Sequence, residues 1–232
     1  MNTEMEPTPA TLRDVARKLV PNVLLQQRGI IRRLGPKAGR IYAALRVRDA
    51  LGIRTANRKR VPPDSRSFVF VCFGNIMRSA MAEFLMRKEL ADLAVDDVPP
   101  VSIASAGVHA TPGREAHPWA QEAAKDLGIS LANHRAKLLS REMVEQADCI
   151  LAMDFQNKAE LLTIYPESHD KMFMLSAYAE GPWQNREIPD PYLGNLETTR
   201  FCGRQLQTCI RKLLASTLGA SRSQKEQSLI AK

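Results

Sequence analysis

The sequence predicts an α/β protein: a doubly wound, four-stranded parallel sheet flanked by helices and preceded by a helical N-terminal extension. Short runs rich in β-branched and aromatic residues alternate with segments of helical periodicity. Such alternation is typical of a parallel sheet with helices on both faces, where ligands bind beyond the carboxyl ends of the strands. The predicted strands are residues 67–72, 101–105, 149–153 and 171–175, and the predicted helices are residues 78–90, 117–127, 141–146, 156–165 and 196–218.

Charge divides the 232-residue chain into two parts. Residues 1–60 carry 14 Lys and Arg against four Asp and Glu, a net charge of +10, whereas the remaining residues carry 19 against 21. The net charge of +8 therefore comes from the N-terminal part. Residues 59–66 combine charge, two prolines and turn formers, as linkers do. We expect a basic, partly helical extension and linker over residues 1–65, one catalytic domain over residues 66–220, and a disordered tail over residues 221–232.

Cysteine usage and hydropathy indicate the compartment. Four cysteines, without a CxxC pair or a dense framework, are typical of free thiols in a reducing environment. No run of about 18 apolar residues predicts a membrane-spanning helix, and the N-terminus lacks the pattern of a secretory signal. We therefore expect a cytoplasmic protein, either soluble or bound at a membrane surface.

The loop after the first predicted strand is the most informative motif. Its sequence from Cys72 to Ser79 is CFGNIMRS, and a predicted helix follows. A loop that closes onto a helix N-terminus directs backbone N–H groups and the positive end of the helix dipole at one point, which makes an anion site. Gly74 and Asn75 tolerate the left-handed backbone angles that such a loop needs. Phosphate fits this site.

Three side chains of the loop suit phosphoryl transfer. The oriented amides and a guanidinium favour the thiolate of Cys72, a nucleophile. Arg78 can bind two phosphoryl oxygens with its planar fork and stabilise the transition state. Ser79 can donate its hydroxyl to the sulfur. The alternative is a buried cysteine at a strand end, followed by an ordinary helix, and the loop alone leaves it open.

The motif resembles the signature of the low-molecular-weight protein tyrosine phosphatase family, in its bacterial type. The resemblance continues through SAGV at residues 105–108, GISLANHRAK at 128–137, DCILAMD at 148–154 and IPDPYLG at 188–194, and it covers about residues 66–218. It implies a four-stranded parallel sheet and hydrolysis of phosphotyrosine through a phosphocysteine intermediate, with no metal or other cofactor.

The resemblance also assigns roles to residues. Asp190, in an Asp-Pro pair, matches the general acid that protonates the leaving group and then activates water, although Asp-Pro by itself indicates only a turn. Tyr192 matches an aromatic wall for the substrate ring, and His134 supports the loop together with Asn75. Asp154 is either a supporting carboxylate or a helix N-cap. The expected phosphate-binding residues are Phe73, Gly74, Asn75, Ile76, Met77 and Ser79.

Departures from the family pattern bear on redox control and substrate preference. Met77 replaces a second loop cysteine that many members carry, so a disulfide that protects Cys72 cannot form there. Leu193 replaces a frequent second tyrosine. A thiol-dependent arsenate reductase would need two further cysteines, which residues 151–154 do not supply. A phosphoarginine phosphatase would have Thr at the position of Ile76, and the third alternative is a phosphoprotein-binding scaffold.

The extension allows two interpretations. Apolar clusters interleaved with Arg and Lys over residues 11–60 suit an anionic membrane surface, with Pro21 interrupting the first helix. Alternatively, these helices pack on the catalytic domain. The resemblance implies a tyrosine-phosphorylated protein as partner, with a tyrosine kinase of bacterial polysaccharide export as the candidate. We expect no nucleic acid partner.

Overall fold

The computed structural model describes residues 22–53, 59–93, 100–184 and 186–230. Within them the helices are α1 (Asn22–Ala50), α2 (Arg78–Asp92), α3 (Pro118–Asp126), α4 (Arg141–Gln146), α5 (Phe155–Ile164) and α6 (Leu196–Ile230). The strands are β1 (Ser67–Cys72), β2 (Ser102–Gly107), β3 (Cys149–Ala152) and β4 (Met172–Met174). Short 3₁₀ turns include Gly181–Trp183 and Pro191–Leu193.

The four strands form one parallel sheet in the order β2-β1-β3-β4. This confirms the predicted fold class. After β1 the chain forms β2 on one side of β1, and it then crosses to form β3 on the other side of β1. The carboxyl ends of β1 and β3 therefore flank the point where the strand order reverses, which is where open α/β sheets bind ligands. Cys72 is the last residue of β1, at this edge.

Helices cover both faces of the sheet because successive side chains of a strand point to opposite sides. Phe68 and Phe70 of β1 face a core that α2, α3 and α6 complete. Val69 and Val71 face a second core, with side chains from α1, α4 and α5. The strands are therefore buried on both faces, as parallel sheets usually are.

The first helix is kinked. Gly35 has φ of 75° and ψ of −179°, which ends one helical segment, and Pro36 begins the next. Glycine adopts this left-handed φ without the steric cost of a side chain, and proline suits the first position of a helix. This kink is not predicted from the sequence, and the interruption predicted at Pro21 lies outside the described residues.

The extension packs on the catalytic domain. Tyr42 and Leu45 of α1 are buried in the second core, beside α5. Arg46 donates from Nε to the Tyr42 hydroxyl at 3.0 Å, and that hydroxyl donates to Gln27 at 2.5 Å. The apolar face of α1 therefore packs on the catalytic domain, which is the second of the two interpretations of the extension.

The end of the chain differs from its prediction. The sequence predicts that the last helix ends at residue 218 and that residues 221–232 form a disordered tail, but α6 continues to Ile230. Residues 221–230 lack proline and glycine and include good helix formers such as Lys, Glu, Gln and Leu, so nothing in them ends a helix that packing has already begun. None of the described helices is both long and apolar enough to cross a bilayer.

Candidate active site

The loop between β1 and α2 is held by its carbonyl groups. The carbonyls of Cys72, Phe73 and Ile76 accept from the backbone N–H groups of Val108, His109 and His117, at 2.8–3.0 Å. Because the C=O and N–H of a trans peptide point in opposite directions, the next N–H in each case points into the loop. The backbone thus forms the ring of inward donors that the sequence predicts.

Asn75 fixes the shape of the loop. It has a positive φ of 53°, and no other non-glycine residue in the described part of the chain has one. Its side chain donates to the hydroxyls of Ser79 and Ser105, each at 2.9 Å, and accepts from the backbone N–H of Lys137 at 2.8 Å. Nε2 of His134 donates to the Asn75 carbonyl at 2.6 Å. His134 therefore lies where its supporting role was predicted.

Gly107, at the end of β2, lets the loop approach the sheet. A Cβ atom at this position would lie 2.7 Å from the Phe73 carbonyl oxygen and 2.8 Å from the Asn75 nitrogen. Both contacts are with backbone, which cannot move away as a flexible side chain can. Only glycine therefore fits beneath the loop.

The sulfur of Cys72 lies inside this ring. Sγ is 3.0 Å from the Ser79 hydroxyl and accepts from the Asn75 N–H at 3.3 Å, and the residue is 3% exposed. The N-cap residue of α2, Met77, provides no side-chain cap for the helix. The first N–H groups of α2 and its dipole are consequently available to an anion beside the sulfur.

Arg78 connects the loop to two carboxylates. Nη1 donates to Asp154 at 2.5 Å and to the Ile188 carbonyl at 3.0 Å, and Nη2 donates to Asp190 at 2.5 Å. Nε has no hydrogen-bond partner among the described residues. Burial alone would lower the pKa of Arg78, but the negative charges of Asp154, Asp190 and Cys72 more than offset it and raise the pKa. The buried guanidinium therefore stays charged.

Asp190 reaches the loop from far along the chain. It lies 118 residues after Cys72 and begins the turn Pro191–Leu193, whose Tyr192 N–H donates to Oδ1 of Asp190 at 3.2 Å. The ion pair with Arg78 brings it to the cysteine loop. Asp154 combines both roles that the sequence left open: it binds Arg78, and it caps α5 by accepting from the Asn157 N–H at 2.7 Å.

Aromatic residues surround the entrance. Tyr192, 46% exposed, has its ring 5.8 Å from that of His117 in an edge-on arrangement, and His117 contacts Trp119 at 4.9 Å. Phe73 contacts His109 at 4.7 Å. Burial and the charge of Arg114 lower the pKa of His117. Neither histidine nor Trp119 is predicted from the sequence, because no spacing marks them and only the topology brings them to the loop.

The other three cysteines are packing residues. Cys149, Cys202 and Cys209 are completely buried. Burial raises the pKa of Cys149 to about 11 and those of Cys202 and Cys209 to about 12. Their thiols are therefore neutral and poor nucleophiles at neutral pH.

Comparisons with known proteins agree with this geometry. The model of the family "Low molecular weight phosphotyrosine protein phosphatase" matches residues 67–226. The chain is 33% identical to the low molecular weight protein-tyrosine-phosphatase Ptp of Acinetobacter johnsonii over 145 residues. This alignment covers 62% of this chain and 93% of that protein. It is 34% identical over 145 residues to a protein-arginine-phosphatase of Bacillus subtilis (strain 168), and that alignment covers 62% of this chain and 92% of the relative.

A solved structure shows the same fold. The low molecular weight protein tyrosine phosphatase from T. tengcongensis superposes with a TM-score of 0.57 at 36% identity, covering 65% of this chain and 98% of that one. The family match spans more than half of the chain and includes the cysteine loop, Arg78 and Asp190. The chain therefore belongs to the low molecular weight phosphotyrosine protein phosphatase family.

Proposed function

We propose that this phosphatase hydrolyses phosphotyrosine in proteins through a phosphocysteine intermediate on Cys72. Arg78 binds the phosphate and Asp190 is the general acid and base. One observation carries the proposal: Sγ of Cys72 lies against Asn75 N–H and the Ser79 hydroxyl, while Arg78 of the same loop pairs with Asp190.

In the first step the Cys72 thiolate attacks phosphorus, and the P–O bond to the tyrosyl oxygen breaks. The N–H groups of the loop at Phe73, Gly74, Ile76 and Met77, with Arg78, bind the phosphoryl oxygens and stabilise their charge. Oxygens bound at Arg78 compete with Asp190 for the guanidinium. The Asp190 carboxyl is then free to donate its proton to the leaving tyrosyl oxygen.

In the second step the Asp190 carboxylate takes a proton from water, and the resulting hydroxide attacks the phosphocysteine. The P–S bond breaks, inorganic phosphate leaves, and the thiolate of Cys72 returns. The Ser79 hydroxyl at 3.0 Å stabilises this departing sulfur by donating a hydrogen bond to it. Asp190 ends the cycle protonated again.

Phosphotyrosine is favoured over phosphoarginine by the aromatic residues at the entrance. The exposed ring of Tyr192, backed by His117 and Trp119, offers a surface for stacking on a phenyl ring. Ile76 gives no hydroxyl to a guanidino group. Because one relative is named a protein-arginine-phosphatase, both substrates need to be measured. We expect kcat/KM to be higher for a phosphotyrosine peptide than for the matched phosphoarginine peptide, and the reverse order would overturn this substrate choice.

Two variants test the mechanism. We expect Cys72→Ser to abolish hydrolysis of para-nitrophenyl phosphate, because the hydroxyl is a far weaker nucleophile. Asp190→Asn should lower kcat/KM by about 10²–10⁴-fold for phosphotyrosine. The decrease should be smaller for para-nitrophenyl phosphate, whose leaving group needs less protonation. Undiminished turnover by Cys72→Ser would overturn the assignment, and equal losses for both substrates would remove Asp190 as the acid.

The location that we propose is the cytoplasmic face of a membrane, near a tyrosine-phosphorylated protein such as a tyrosine kinase. Support comes from α1, whose exposed face carries Arg28, Arg32, Arg33, Lys37 and Arg40. These side chains form no ion pair with the described residues. The apolar face of α1 packs on the domain, so attraction would be electrostatic, about 1 kcal/mol per basic group.

Vesicle co-sedimentation tests this attachment. We expect the protein to pellet with vesicles that contain anionic phospholipid, to remain in solution with neutral vesicles, and to be released by salt. Arg32→Glu/Arg33→Glu should reduce pelleting strongly. Arg204→Glu/Arg211→Glu on α6 makes the same charge change at residues that are already ion-paired and serves as the control. Equal pelleting of the two double variants would contradict the proposal.

A further inference from the structure

A second cavity lies between the extension and the catalytic domain. Its volume is about 720 Å³, within the range of small-molecule sites. Arg46 and Asp49 of α1 line one side, and the other sides come from residues of α6 and from residues 176, 177, 179, 183, 184, 186, 187 and 189. The cysteine loop does not contribute to its walls. The cavity is therefore distinct from the phosphatase site.

Two buried polar atoms of this cavity lack hydrogen-bond partners among the described residues. They are the Nε1 donor of Trp183 and the Oε1 acceptor of Gln205. Gln205 is 1% exposed, and its Nε2 donates to the Glu187 carbonyl at 3.2 Å, which fixes the orientation of the amide. Both atoms have almost no solvent-accessible surface, so they lie behind the wall of the cavity. Neither atom is therefore open to a ligand in this arrangement, and the accessible side chains of the cavity decide what it binds.

The cavity lining carries three guanidinium groups, from Arg46, Arg60 and Arg186, against the two carboxylates of Asp49 and Glu187, so its net charge favours an anion. Arg46 is paired with Glu187 at 2.5 Å. Arg60 and Arg186 also line the cavity, and neither forms an ion pair with the described residues. Arg60 lies over the Tyr178 ring at 4.6 Å, and that contact leaves its N–H donors available. Guanidinium groups are well suited to binding phosphate.

Aromatic rings supply the remaining surface. Trp183 and Phe201 contact each other edge-on at 5.7 Å, and both line the cavity together with Phe155. A planar ring could stack there. We infer that this cavity is a second ligand site, specific for a small aromatic anion of the nucleoside monophosphate class. The base would stack on the aromatic surface, and the phosphate would bind Arg60 and Arg186.

The site adjoins the segment that carries the acid. Glu187 pairs with Arg46, accepts from the Phe155 N–H at 2.5 Å and is followed by Ile188, whose carbonyl accepts from Arg78. Pro189 lines the cavity and precedes Asp190. The inference does not depend on the phosphatase mechanism, because ligand binding can be measured in a protein that cannot turn over.

Tryptophan fluorescence separates the two sites. The chain has two tryptophans, Trp183 in the cavity and Trp119 at the phosphatase entrance. In full-length Cys72→Ser/Trp119→Phe protein, Trp183 is the sole reporter, and adenosine 5′-monophosphate is the probe. We expect a saturable change in its emission. Adenosine alone and inorganic phosphate alone should bind at least about tenfold more weakly, because each satisfies only half of the site.

Substitutions of exposed arginines then test the location. Arg60→Ala/Arg186→Ala should weaken nucleotide binding by at least about tenfold, the loss expected when charge-assisted hydrogen bonds are removed. Arg48→Ala, an exposed residue of α1 outside the cavity, is the matched control and should bind as the parent does. The inference is overturned if Trp183 does not respond, if the double variant binds unchanged, or if phosphate alone binds as tightly as the nucleotide.

Discussion

At the scale of single residues, the cysteine loop is held in shape by the hydrogen bonds of one buried residue, Asn75. Asn75 is completely buried, and its left-handed backbone costs about 1–3 kcal/mol in general. Five hydrogen bonds offset this cost. They involve the backbone N–H, the backbone carbonyl, and the side-chain nitrogen and oxygen of Asn75. Ser105, which accepts from Asn75, donates to buried Glu83 at 2.6 Å. The loop is therefore rigid before phosphate arrives, which is what electrostatic catalysis requires.

His134 gives this network a pH dependence. Burial lowers its pKa, with Lys137 and Arg135 adding to the effect, so the folded protein binds the proton more weakly than the unfolded chain. As pH falls through about 6.5, the unfolded chain takes up a proton first. The free energy of unfolding then falls, until the pH is below the depressed pKa of the folded state. Above about pH 6.5, neutral His134 makes its full contribution to the free energy of unfolding.

The variant His134→Gln isolates this effect, because its amide can still donate to the Asn75 carbonyl but does not titrate. We expect wild type to lose more stability than the variant when urea unfolding is compared at pH values above and below about 6.5. The carboxylates titrate alike in both proteins and cancel in the difference. A parallel loss in the two proteins would show that His134 does not titrate on unfolding.

At the scale of elements, α5 and the phosphatase loop share one carboxylate. Oδ1 of Asp154 caps α5 while Oδ2 binds Arg78. The N-terminus of α5 is thus tied to the guanidinium that we propose binds phosphate. A helix cap that also orients a catalytic side chain links the stability of an element to activity, and substitution can separate the two.

Asp154→Asn should keep the cap and lose the charge, since asparagine caps helices as well as aspartate does. Asp154→Ala should lose both. We expect the Ala variant to be less stable than the Asn variant by about 1 kcal/mol in chemical denaturation. Both should show kcat/KM reduced by about tenfold or more, because Arg78 loses a charged partner. If Asn and Ala are equally stable, the cap contributes nothing measurable.

Local signals explain which elements the sequence predicts. Helix α4 has the predicted bounds, because Ser140 caps its first turn by accepting from Met143 N–H at 3.2 Å. Strand β1 also has its predicted bounds, since a buried parallel strand is a continuous apolar run. The kink at Gly35 and the docking of α1 could not be predicted in this way. An apolar helical stripe has the same pattern whether it packs on a domain or on a membrane.

The candidate site likewise has some features that the local sequence predicts and others that only tertiary contacts create. Cys72 through Ser79 is contiguous in the sequence, so the chemistry of the loop can be predicted from residue types alone. Asp190 required the family resemblance, because Asp-Pro otherwise indicates a turn. His117 and Ser105 come to the site only through tertiary contacts between distant segments. No spacing rule identifies them.

At the scale of the whole molecule, the extension belongs to the same folded unit as the phosphatase. The side chains of α1 complete the core on one face of the sheet. Residues 59–61 continue this attachment, with Lys59 over the Phe173 ring and Val61 N–H donating to the Tyr178 hydroxyl at 2.8 Å. The stretch that the sequence indicates as a linker is thus bound to the domain over these residues.

This organisation predicts that the extension contributes to the stability of the catalytic domain. Leu45 of α1 is 8% exposed, whereas Val47, two residues later, is 57% exposed. We expect Leu45→Ala to lower the free energy of unfolding of the full chain by about 2–5 kcal/mol, as for other buried leucines. Val47→Ala should change it by less than about 0.5 kcal/mol. Denaturation followed by far-UV circular dichroism and by phosphatase activity should give one coincident transition. Equal, negligible effects of the two substitutions would mean that α1 is not docked, and the nucleotide site would then lack one of its walls.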